Sequence, residues 1–399
     1  LKVDAIRHNS ATSDAITTVS DGTCTAKITG MTGGGALSHR NLIVNGAMDV
    51  AQRGQVTGLG HASGGAGGGF GGPDRFAFYS NYSIVTMSQS TDVPSGQGFA
   101  KSLKLDVTTA GGDSNADTYT QLDYRFEGQE LTRLKYGTSD AETTTISFWI
   151  KSPKAGIHWV RLYGDELSGY AFISRKYTVT SANTWQKVIL SFPGYTGSGF
   201  NNDNTLGMRI SIYFAQGSAY SSGTAQADDG GWLSWTESAA VRSRNTVGQV
   251  NCFDSTSNEI YITGVQFEVG DTATSFEFRN VGEEYARCQR YYQQYVNISA
   301  VGYVPDNNSR TYSHGFFFPV EMRAAPTMSI TNTGSSNGQY ITDGDTNRYV
   351  SSILSQGAKT SHMSVSFNIS GDLANFRGAY LFGTGNTTYQ TTYKIDAEL

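Results

Sequence analysis

Hydrophobic and polar side chains alternate along most of this chain, and this pattern predicts β-strands. The clearest runs end at residues typical of turns, for example Ser152-Pro153 and Pro193-Gly194. Alternation indicates sheets with one buried and one solvent-facing side, as in a β-sandwich or jelly roll. The apolar positions of these runs are Leu103, Leu105 and Val107; Ile146, Phe148 and Ile150; Val188, Leu190 and Phe192; Met208, Ile210, Ile212 and Phe214; and Ile260, Ile262, Val265, Phe267 and Val269.

One segment departs from this period and predicts a short helix. Asn280 can cap it, two glutamates follow in the first turn, and side chains recur every three to four residues at Tyr285, Cys288, Tyr291, Tyr292 and Tyr295. The strand pattern then resumes. We therefore expect an all-β chain in which a jelly-roll sandwich over residues 41–280 is joined by a helical junction, 281–297, to a smaller β-sandwich, 298–399.

The first forty residues carry few apolar side chains among many threonines, serines and glycines. Such a segment holds too little apolar surface to fold by itself. Copies of the segment from other subunits could complete its core. We therefore expect an extended β segment over residues 1–40 that associates with other chains.

Composition is consistent with β structure and excludes two classes of partner. Tyr and Phe, with 23 and 20 residues, together outnumber the 29 Lys and Arg residues, and the formal net charge is −5. A nucleic-acid-binding protein needs a cationic surface, and a membrane span needs about 20 consecutive apolar residues. We therefore expect neither nucleic-acid binding nor membrane insertion.

Residues that hold metals or cofactors are not grouped in the sequence. The widely spaced Cys24, Cys252 and Cys288 predict unpaired thiols in a protein folded in a reducing cytosol. The glycine-rich run at 64–73 lacks the Gly-Lys-Ser/Thr ending of a phosphate loop. The loop at 201–204 offers oxygen ligands that suit calcium, but an Asx-rich turn is the preferred interpretation. We expect no cofactor and no metal.

Catalytic motifs are also not recognisable. The six histidines are scattered, and none lies in an HExxH motif or beside a GxSxG elbow. Acidic pairs occur at Asp165-Glu166, Asp228-Asp229 and Glu283-Glu284. Neighbouring strand residues point to opposite faces, whereas a glycosidase needs two carboxylates that face each other across a sugar. We therefore predict a non-enzymatic protein without catalytic residues and keep a polysaccharide depolymerase as an alternative.

Three groups of residues resemble a jelly-roll module found in tail-fibre and related structural proteins of tailed bacteriophages. The opening of that module is similar to NLIVNGAMDVAQRG at residues 41–54, followed by Asp74-Arg75-Phe76. Its central strands are similar to residues 145–152 and 183–187. Its close is similar to residues 263–270, Glu283-Glu284 and CQRYY at 288–292, although Ser275 stands where proline is usual. The resemblance covers about residues 41–295.

Both ends of the chain resemble parts of the same fibres. Residues 3–8 and 14–17 are similar to a short trimerising segment of marine, cyanophage-like fibres, and residues 316–323 and 396–399 resemble the small β domain that ends them. The resemblance implies a homotrimeric virion appendage, made in the host cytoplasm and attached to other virion proteins through residues 1–40. Its jelly roll resembles carbohydrate-binding modules, which implies adsorption to a host-surface glycan. A capsid- or tail-attached decoration fibre without a receptor role is the alternative.

Sugar recognition requires exposed aromatic rings on which apolar sugar faces stack, with polar side chains that bind the hydroxyls. Such rings should lie in loops. Two candidates, Trp232 and Trp235, lie in a polar stretch whose spacing could bury one of them. Four others lie in Asn- and Gly-rich parts of the C-terminal domain, namely Tyr303, Tyr312, Tyr340 and Tyr349. Structural packing is the preferred interpretation for each of the six and sugar contact is the alternative, and Trp149, Trp159 and Trp185 are expected in strands or the core.

Overall fold

In the computed structural model of the chain, the described part is almost entirely β, with a few short helices. This confirms the all-β fold class. No helix among the described residues is long and apolar enough to cross a membrane. The described residues are 39–65, 67–111, 115–225, 230–235, 244–296, 300–303, 310–332, 339–342, 347–369, 378–383 and 391–399, together with the backbone of three short strands between residues 5 and 26.

Those three strands form a small antiparallel sheet near the N-terminus. They are β1 (Ala5–Ile6), β2 (Ile16–Thr18) and β3 (Cys24–Ala26), with β2 in the centre. The rest of the segment predicted to associate with other chains, apart from residues 39 and 40, lies outside the described residues. Trimerisation through residues 1–40 therefore stays a prediction.

Two antiparallel sheets pack face to face and form the large sandwich. The first has the order β13-β10-β16-β8-β7-β4, in which the strands are β4 (Val56–Gly60), β7 (Ile84–Ser90), β8 (Ser102–Thr109), β10 (Thr144–Lys151), β13 (Trp185–Phe192) and β16 (Glu259–Val269). The second has the order β15-β12-β11-β14-β9-β6-β5, in which the strands are β5 (Gly68–Phe70), β6 (Phe76–Ser80), β9 (Tyr119–Glu127), β11 (Gly156–Gly164), β12 (Ala171–Val179), β14 (Leu206–Gln216) and β15 (Leu233–Ser234).

The alternating apolar positions of the sequence fill the space between these sheets. Almost all of them are buried in one continuous core, to which both sheets contribute. Leu190 is only half-buried because β13 lies at the edge of its sheet, and Val269 is exposed because it is the last residue of β16. The period-two pattern thus identified one buried face on each strand.

Strand β16 changes phase in its middle. Ile262 and Val265 are three residues apart, yet both face the core. The pairing of β16 with β10 shifts between Ser147 and Trp149, where β16 contains one extra residue, and Gly264 adopts a φ of 63°. This β-bulge restores the apolar residues on both sides of it to the same face.

Short helices connect the strands. Among the described residues they are α1 (Gly128–Leu131) with a following 3-10 turn (Thr132–Leu134), α2 (Ser218–Ser221) and α3 (Val281–Gln289). Helix α3 begins as predicted, because the Asn280 side chain accepts a hydrogen bond from the Gly282 N–H at 2.8 Å. It ends earlier than predicted, since strand β17 (Tyr292–Val296) follows directly. The predicted helical junction is therefore a helix followed by a strand.

The C-terminal part is β, as expected, but its strands form a barrel and a short sheet. The sheet has the order β17-β25-β20, with β20 (Thr327–Asn332) and β25 (Thr391–Asp396). The closed barrel has the order β18-β19-β23-β22-β21-β24, with strands β18 (Ala300–Tyr303), β19 (Arg310–Phe317), β21 (Gln339–Thr342), β22 (Asn347–Ala358), β23 (His362–Ile369) and β24 (Gly378–Gly383). Closure leaves no free strand edge in the barrel.

The Asn-Gly pair of the bacteriophage-like motif forms a buried turn. The Asn45 amide nitrogen donates to the carbonyl oxygens of Val50 and Asp74 at 2.8 and 3.0 Å, and its oxygen accepts from the Val50 N–H at 2.9 Å. The Gly46 carbonyl accepts from the Val265 N–H at 2.9 Å. The turn therefore anchors the start of the large domain to β16.

Arg75 of the same motif lies at the contact between the large domain and the C-terminal sheet. It is fully buried and forms an ion pair with Glu398, whose side chain is only 4% exposed. Its guanidinium lies 3.4 Å from the ring centre of Tyr291 and donates to the Arg125 carbonyl at 2.7 Å. Arg75 thus connects three parts of the chain in one water-poor cluster.

Arg53 extends this cluster towards the surface. It pairs with Glu398 at 3.2 Å and with the half-exposed Asp396 at 3.1 Å, and its guanidinium lies 3.6 Å from the ring centre of Tyr292. The arginines and tyrosines of the motif are therefore structural residues that hold β25 against the large domain.

A buried histidine, His158, lies in strand β11. His158 stacks on Tyr177 with ring centres 5.3 Å apart, and its Nε2 lies 3.2 Å from the Lys154 carbonyl oxygen. Burial lowers the pKa of His158 to about 4, and the contact with the Lys154 carbonyl opposes this shift only in part. The fold therefore holds this ring neutral.

We expect His158 to lower the free energy of unfolding by on the order of 3 kcal/mol as the pH falls from 7 to 4. In this range the histidine of the unfolded chain binds a proton and the buried one does not, so stability falls with pH. The substitution His158→Gln should remove this component. Denaturant unfolding of both proteins at the two pH values measures it, and a difference between them that does not change with pH would contradict the expectation.

Candidate functional site

A groove of about 310 Å³ lies on the outward face of the seven-stranded sheet. It arises from strand alternation, because residues between the core positions point the other way. In β9, Leu122 belongs to the core, whereas Gln121, Asp123 and Arg125 line the groove. The other lining residues are Tyr79, Tyr119, Arg161, Arg209, Tyr213, Gln216, Tyr220, Trp235 and Asn245.

Aromatic rings form one side of this groove. Trp235 stacks on Tyr220, with ring centres 6.1 Å apart and planes 17° apart. Its ring also makes edge contacts with Tyr163 at 5.8 Å and with Phe172 at 5.4 Å. These contacts fix the orientation of Trp235, so the ring is positioned before any ligand binds.

Trp232 has a different environment, although it lies only three residues away. Its indole N–H donates to the Pro193 carbonyl at 2.9 Å, and its ring contacts Tyr136 and Tyr195 at the edge of the core. The structure thus places Trp232 in packing and Trp235 in the groove. Sugar binding by either residue stays a prediction.

The four tyrosine candidates lie in barrel strands and not in loops. Strand pairing places Tyr303 opposite Tyr312 and Tyr340 opposite Tyr349. Their side chains lie outside the described part of the structure, so their proposed contact with sugar also stays a prediction.

The described lining of the groove carries both signs of charge, with an excess of positive charge. Arg209 holds Asp165 in a two-pronged ion pair, with distances of 3.0 and 2.7 Å. Burial raises the pKa of Asp165, and Arg209 opposes this shift. Beyond this pair, the lining contains the cations Arg125 and Arg161 and the anion Asp123.

The polar atoms of the lining include an amide–carboxylate pair and several buried atoms without a partner among the described residues. The Asp123 carboxylate accepts from the Gln121 amide at 2.9 and 3.1 Å. The Nε atoms of Arg125 and Arg161 and the Oε1 atom of Gln216 are buried and have no hydrogen-bond partner among the described residues. Buried polar atoms in native proteins are nearly always paired, so a polar ligand or water would complete this set.

The groove tyrosines supply neutral hydroxyl groups. Burial raises the pKa of Tyr79 and of Tyr213, and the neighbouring arginines oppose the shift in both cases. Both phenols therefore stay protonated at neutral pH and can donate hydrogen bonds to a ligand.

The acidic pairs of the sequence have structural partners where they are described. Glu166 accepts from the Asn201 N–H at 2.8 Å, Glu283 pairs with Arg287 at 2.7 Å, and Asp228-Asp229 lies outside the described residues. The loop at 201–204 also contacts the C-terminal part, since the Asn204 amide donates to the Arg323 carbonyl at 2.6 Å. Among the described residues, no cluster of three or more His, Cys, Asp or Glu side chains could hold a metal ion.

No protein-family model matches the chain, and no curated protein matches it. Similar solved structures include the enzymatically active domain of tailspike protein 4 of bacteriophage CBA120, at 13% identity and a TM-score of 0.28, over 58% of this chain and 22% of that one. A family 11 carbohydrate-binding module of a Clostridium thermocellum cellulase matches at 16% identity and a TM-score of 0.24, over 52% of this chain and 91% of that one.

A xylan-binding domain from Paenibacillus barcinonensis is also similar, at 11% identity and a TM-score of 0.25, over 58% of this chain and 96% of that one. The matched region spans less than a quarter of the tailspike structure. Similarity at this level does not transfer a ligand or an activity to this chain.

Proposed function

We propose that this chain is a non-enzymatic receptor-binding fibre protein of a tailed bacteriophage and that it binds a host-surface glycan through the groove of its jelly roll. The observation that carries the proposal is the combination, in one groove, of a fixed aromatic ring, Trp235, with polar groups that lack partners. The resemblance of residues 41–295 to bacteriophage fibre modules supports the assignment to a virion.

The chemistry of the groove suits a sugar. Saccharides present flat apolar faces and rings of hydroxyl groups, which require aromatic surface and polar atoms in close proximity. Here Trp235 provides the surface, while Asp123 and Gln121 provide an acceptor and a donor beside it. The volume of about 310 Å³ falls in the range typical of small-ligand sites.

The arrangement of carboxylates favours binding over hydrolysis. A glycosidase needs two carboxylates facing each other across the scissile bond, with one of them free to donate a proton. Asp165 is engaged by Arg209 in a two-pronged ion pair. Among the described lining residues this leaves Asp123 as the single carboxylate, and the proposed role is therefore binding alone.

A homotrimer would strengthen such binding. One groove contacts few sugar units, and linked sites raise the effective concentration of the next contact, so avidity can exceed single-site affinity by roughly 10²-fold or more. In the proposed assembly, residues 1–40 bring three chains together and attach them to the virion. Light scattering that gave a monomer mass at every concentration would contradict this part of the proposal.

Binding of the purified chain to an array of bacterial surface saccharides tests the proposal. We expect binding to at least one saccharide, and we expect Trp235→Ala to weaken it by about tenfold because the stacking surface is lost. Trp232→Phe is the matched control, since Trp232 packs outside the groove, and it should leave the affinity unchanged.

Four outcomes would count against the proposal. The absence of binding to every saccharide, or full affinity in Trp235→Ala, would contradict the glycan groove. Release of oligosaccharides from host polysaccharide would favour a depolymerase. Unchanged adsorption of virions that carry Trp235→Ala would favour the decoration fibre without a receptor role.

A further inference from the structure

We infer that the groove selects an acidic saccharide and that Arg161 binds the anionic group of that ligand, a carboxylate or a sulfate. This inference rests on the proposed glycan-binding function. It adds the charge of the sugar, which the proposed function does not specify.

Arg161 is a buried cation enclosed by aromatic rings. It extends from β11 and is only 7% exposed. Its guanidinium carbon lies 4.9 Å from the ring centre of Tyr163 and 5.2 Å from those of Tyr213 and Trp235. Trp235, the proposed stacking residue, therefore contacts Arg161 directly.

No ion pair engages this guanidinium in the described part of the protein, although Asp165, which pairs with Arg209, lies close enough to interact with it electrostatically. Its Nε atom is buried without an acceptor, and no carboxylate among the described residues forms an ion pair with it. Three other arginines with buried or partly buried side chains form ion pairs, namely Arg75 with Glu398, Arg209 with Asp165 and Arg279 with Glu284, and the buried Arg175 donates to the Ser174 and Gly230 carbonyls. Arg161 differs from these in a way that its burial alone does not explain.

A comparison of the free energies of burial and of cation–π contact indicates that Arg161 lacks an ion-pair partner among the described residues of the groove. Burial of an unpaired charge costs more free energy than a single cation–π contact returns. Three such contacts orient the guanidinium but do not supply acceptors for its five N–H groups. An anionic ligand would supply both the charge and the acceptors, because carboxylate and sulfate oxygens match the fork of a guanidinium.

The charge balance of the groove agrees with this interpretation. Arg209 and Asp165 neutralise each other, which leaves Arg125 and Arg161 against Asp123. The described lining thus carries local positive charge in a chain whose formal net charge is −5. An acidic polysaccharide would be repelled by most of the surface and attracted at the groove, which would direct its binding to this site.

Paired ligands test the inference directly. Hexasaccharides of galacturonate, alginate and hyaluronan are compared with their carboxyl-reduced forms, which keep the backbone and remove the charge. By calorimetry on the whole chain, we expect at least one acidic form to bind about tenfold or more tightly than its reduced form. Inorganic sulfate should compete with the acidic form and not with the reduced one.

Variants then assign the selection to Arg161. Arg161→Gln should abolish the preference for the acidic form, and Arg161→Lys should retain part of it because the charge remains and the fork does not. Arg133→Gln is the matched control, because Arg133 is exposed and lies outside the groove lining, and it should leave the preference unchanged. Thermal unfolding checks that each variant folds. If Arg161→Gln does not fold, sulfate competition on the unaltered chain tests the inference instead.

The outcomes separate this inference from the proposed function. Equal binding of acidic and reduced forms would overturn acid selection while glycan binding stands. A preference that persists in Arg161→Gln would overturn the role of Arg161. Binding of no saccharide at all, acidic, reduced or neutral, would contradict the proposed function and this inference together.

Discussion

Replacement of Glu398 by glutamine is expected to destabilise the folded chain by about 3 to 5 kcal/mol. Glu398 is almost fully buried and is the anionic partner of the completely buried Arg75 as well as of Arg53. The substitution keeps the shape of the side chain and removes its charge. Arg75 would then be left as a buried cation beside the ring of Tyr291, whose cation–π attraction is too small to replace an ion pair.

Denaturant unfolding and calorimetry of the whole chain measure this loss. Asp396→Asn is the matched control, because Asp396 pairs with the same Arg53 but is 44% exposed. Solvent screens that pair, so the control should cost less than about 1 kcal/mol. Equal effects of the two substitutions would show that the buried cluster does not depend on the charge of Glu398.

The substitution Gly46→Ala is expected to lower the free energy of unfolding by about 3 kcal/mol or more. A Cβ atom at this position would lie 2.1 Å from the Val265 carbonyl oxygen, well inside contact distance, and the obstacle is backbone and not a flexible side chain. Relief of the clash requires the turn to move away from β16. This movement would lengthen the hydrogen bond from the Val265 N–H to the Gly46 carbonyl and disturb the buried network around Asn45.

Gly231→Ala is the control for this prediction, because no atom of the described residues lies within 4 Å of a Cβ built there. It should shift the unfolding temperature little. If Gly46→Ala unfolded at the same temperature as the unaltered chain, the close approach of the turn to β16 would not be required for stability.

Much of the large sandwich could be predicted because its cause is local. Each strand carries its own period of two, and the core positions follow from it without knowledge of the neighbours. The start of α3 could be predicted for the same reason, since its capping residue, Asn280, directly precedes the helix in the sequence. The end of α3 was not, because β17 is a strand only by pairing with residues 391–396.

Closure of the C-terminal barrel was beyond the sequence for the same reason. The pairing of β18 with β24 joins residues that are distant along the chain, and no pattern within either strand specifies it. A sandwich and a barrel require the same alternation, so the period alone could not separate them.

The residues that carried the resemblance differ from the residues that line the candidate site. The motif residues that carried the resemblance, among them Asn45, Arg75 and Tyr291, lie in buried structural networks and not in the groove. The groove residues Asp123 and Arg161 alternate with core positions, and in sequence this is the pattern of a solvent-facing side. Their burial depends on residues brought over the sheet from distant loops. A concentration of Arg and Tyr at the outward positions of several strands was the signal available.

The central place of β25 in its sheet has a consequence for biosynthesis. Strand β17 leaves α3 with an edge whose partner is synthesised about a hundred residues later. Until then this edge is open to wrong pairing with other nascent chains, which is the hazard of an unprotected strand. The sheet at the junction between the large sandwich and the barrel therefore forms late in synthesis. Fast translation or a high local concentration of growing chains should favour misassembly at this point.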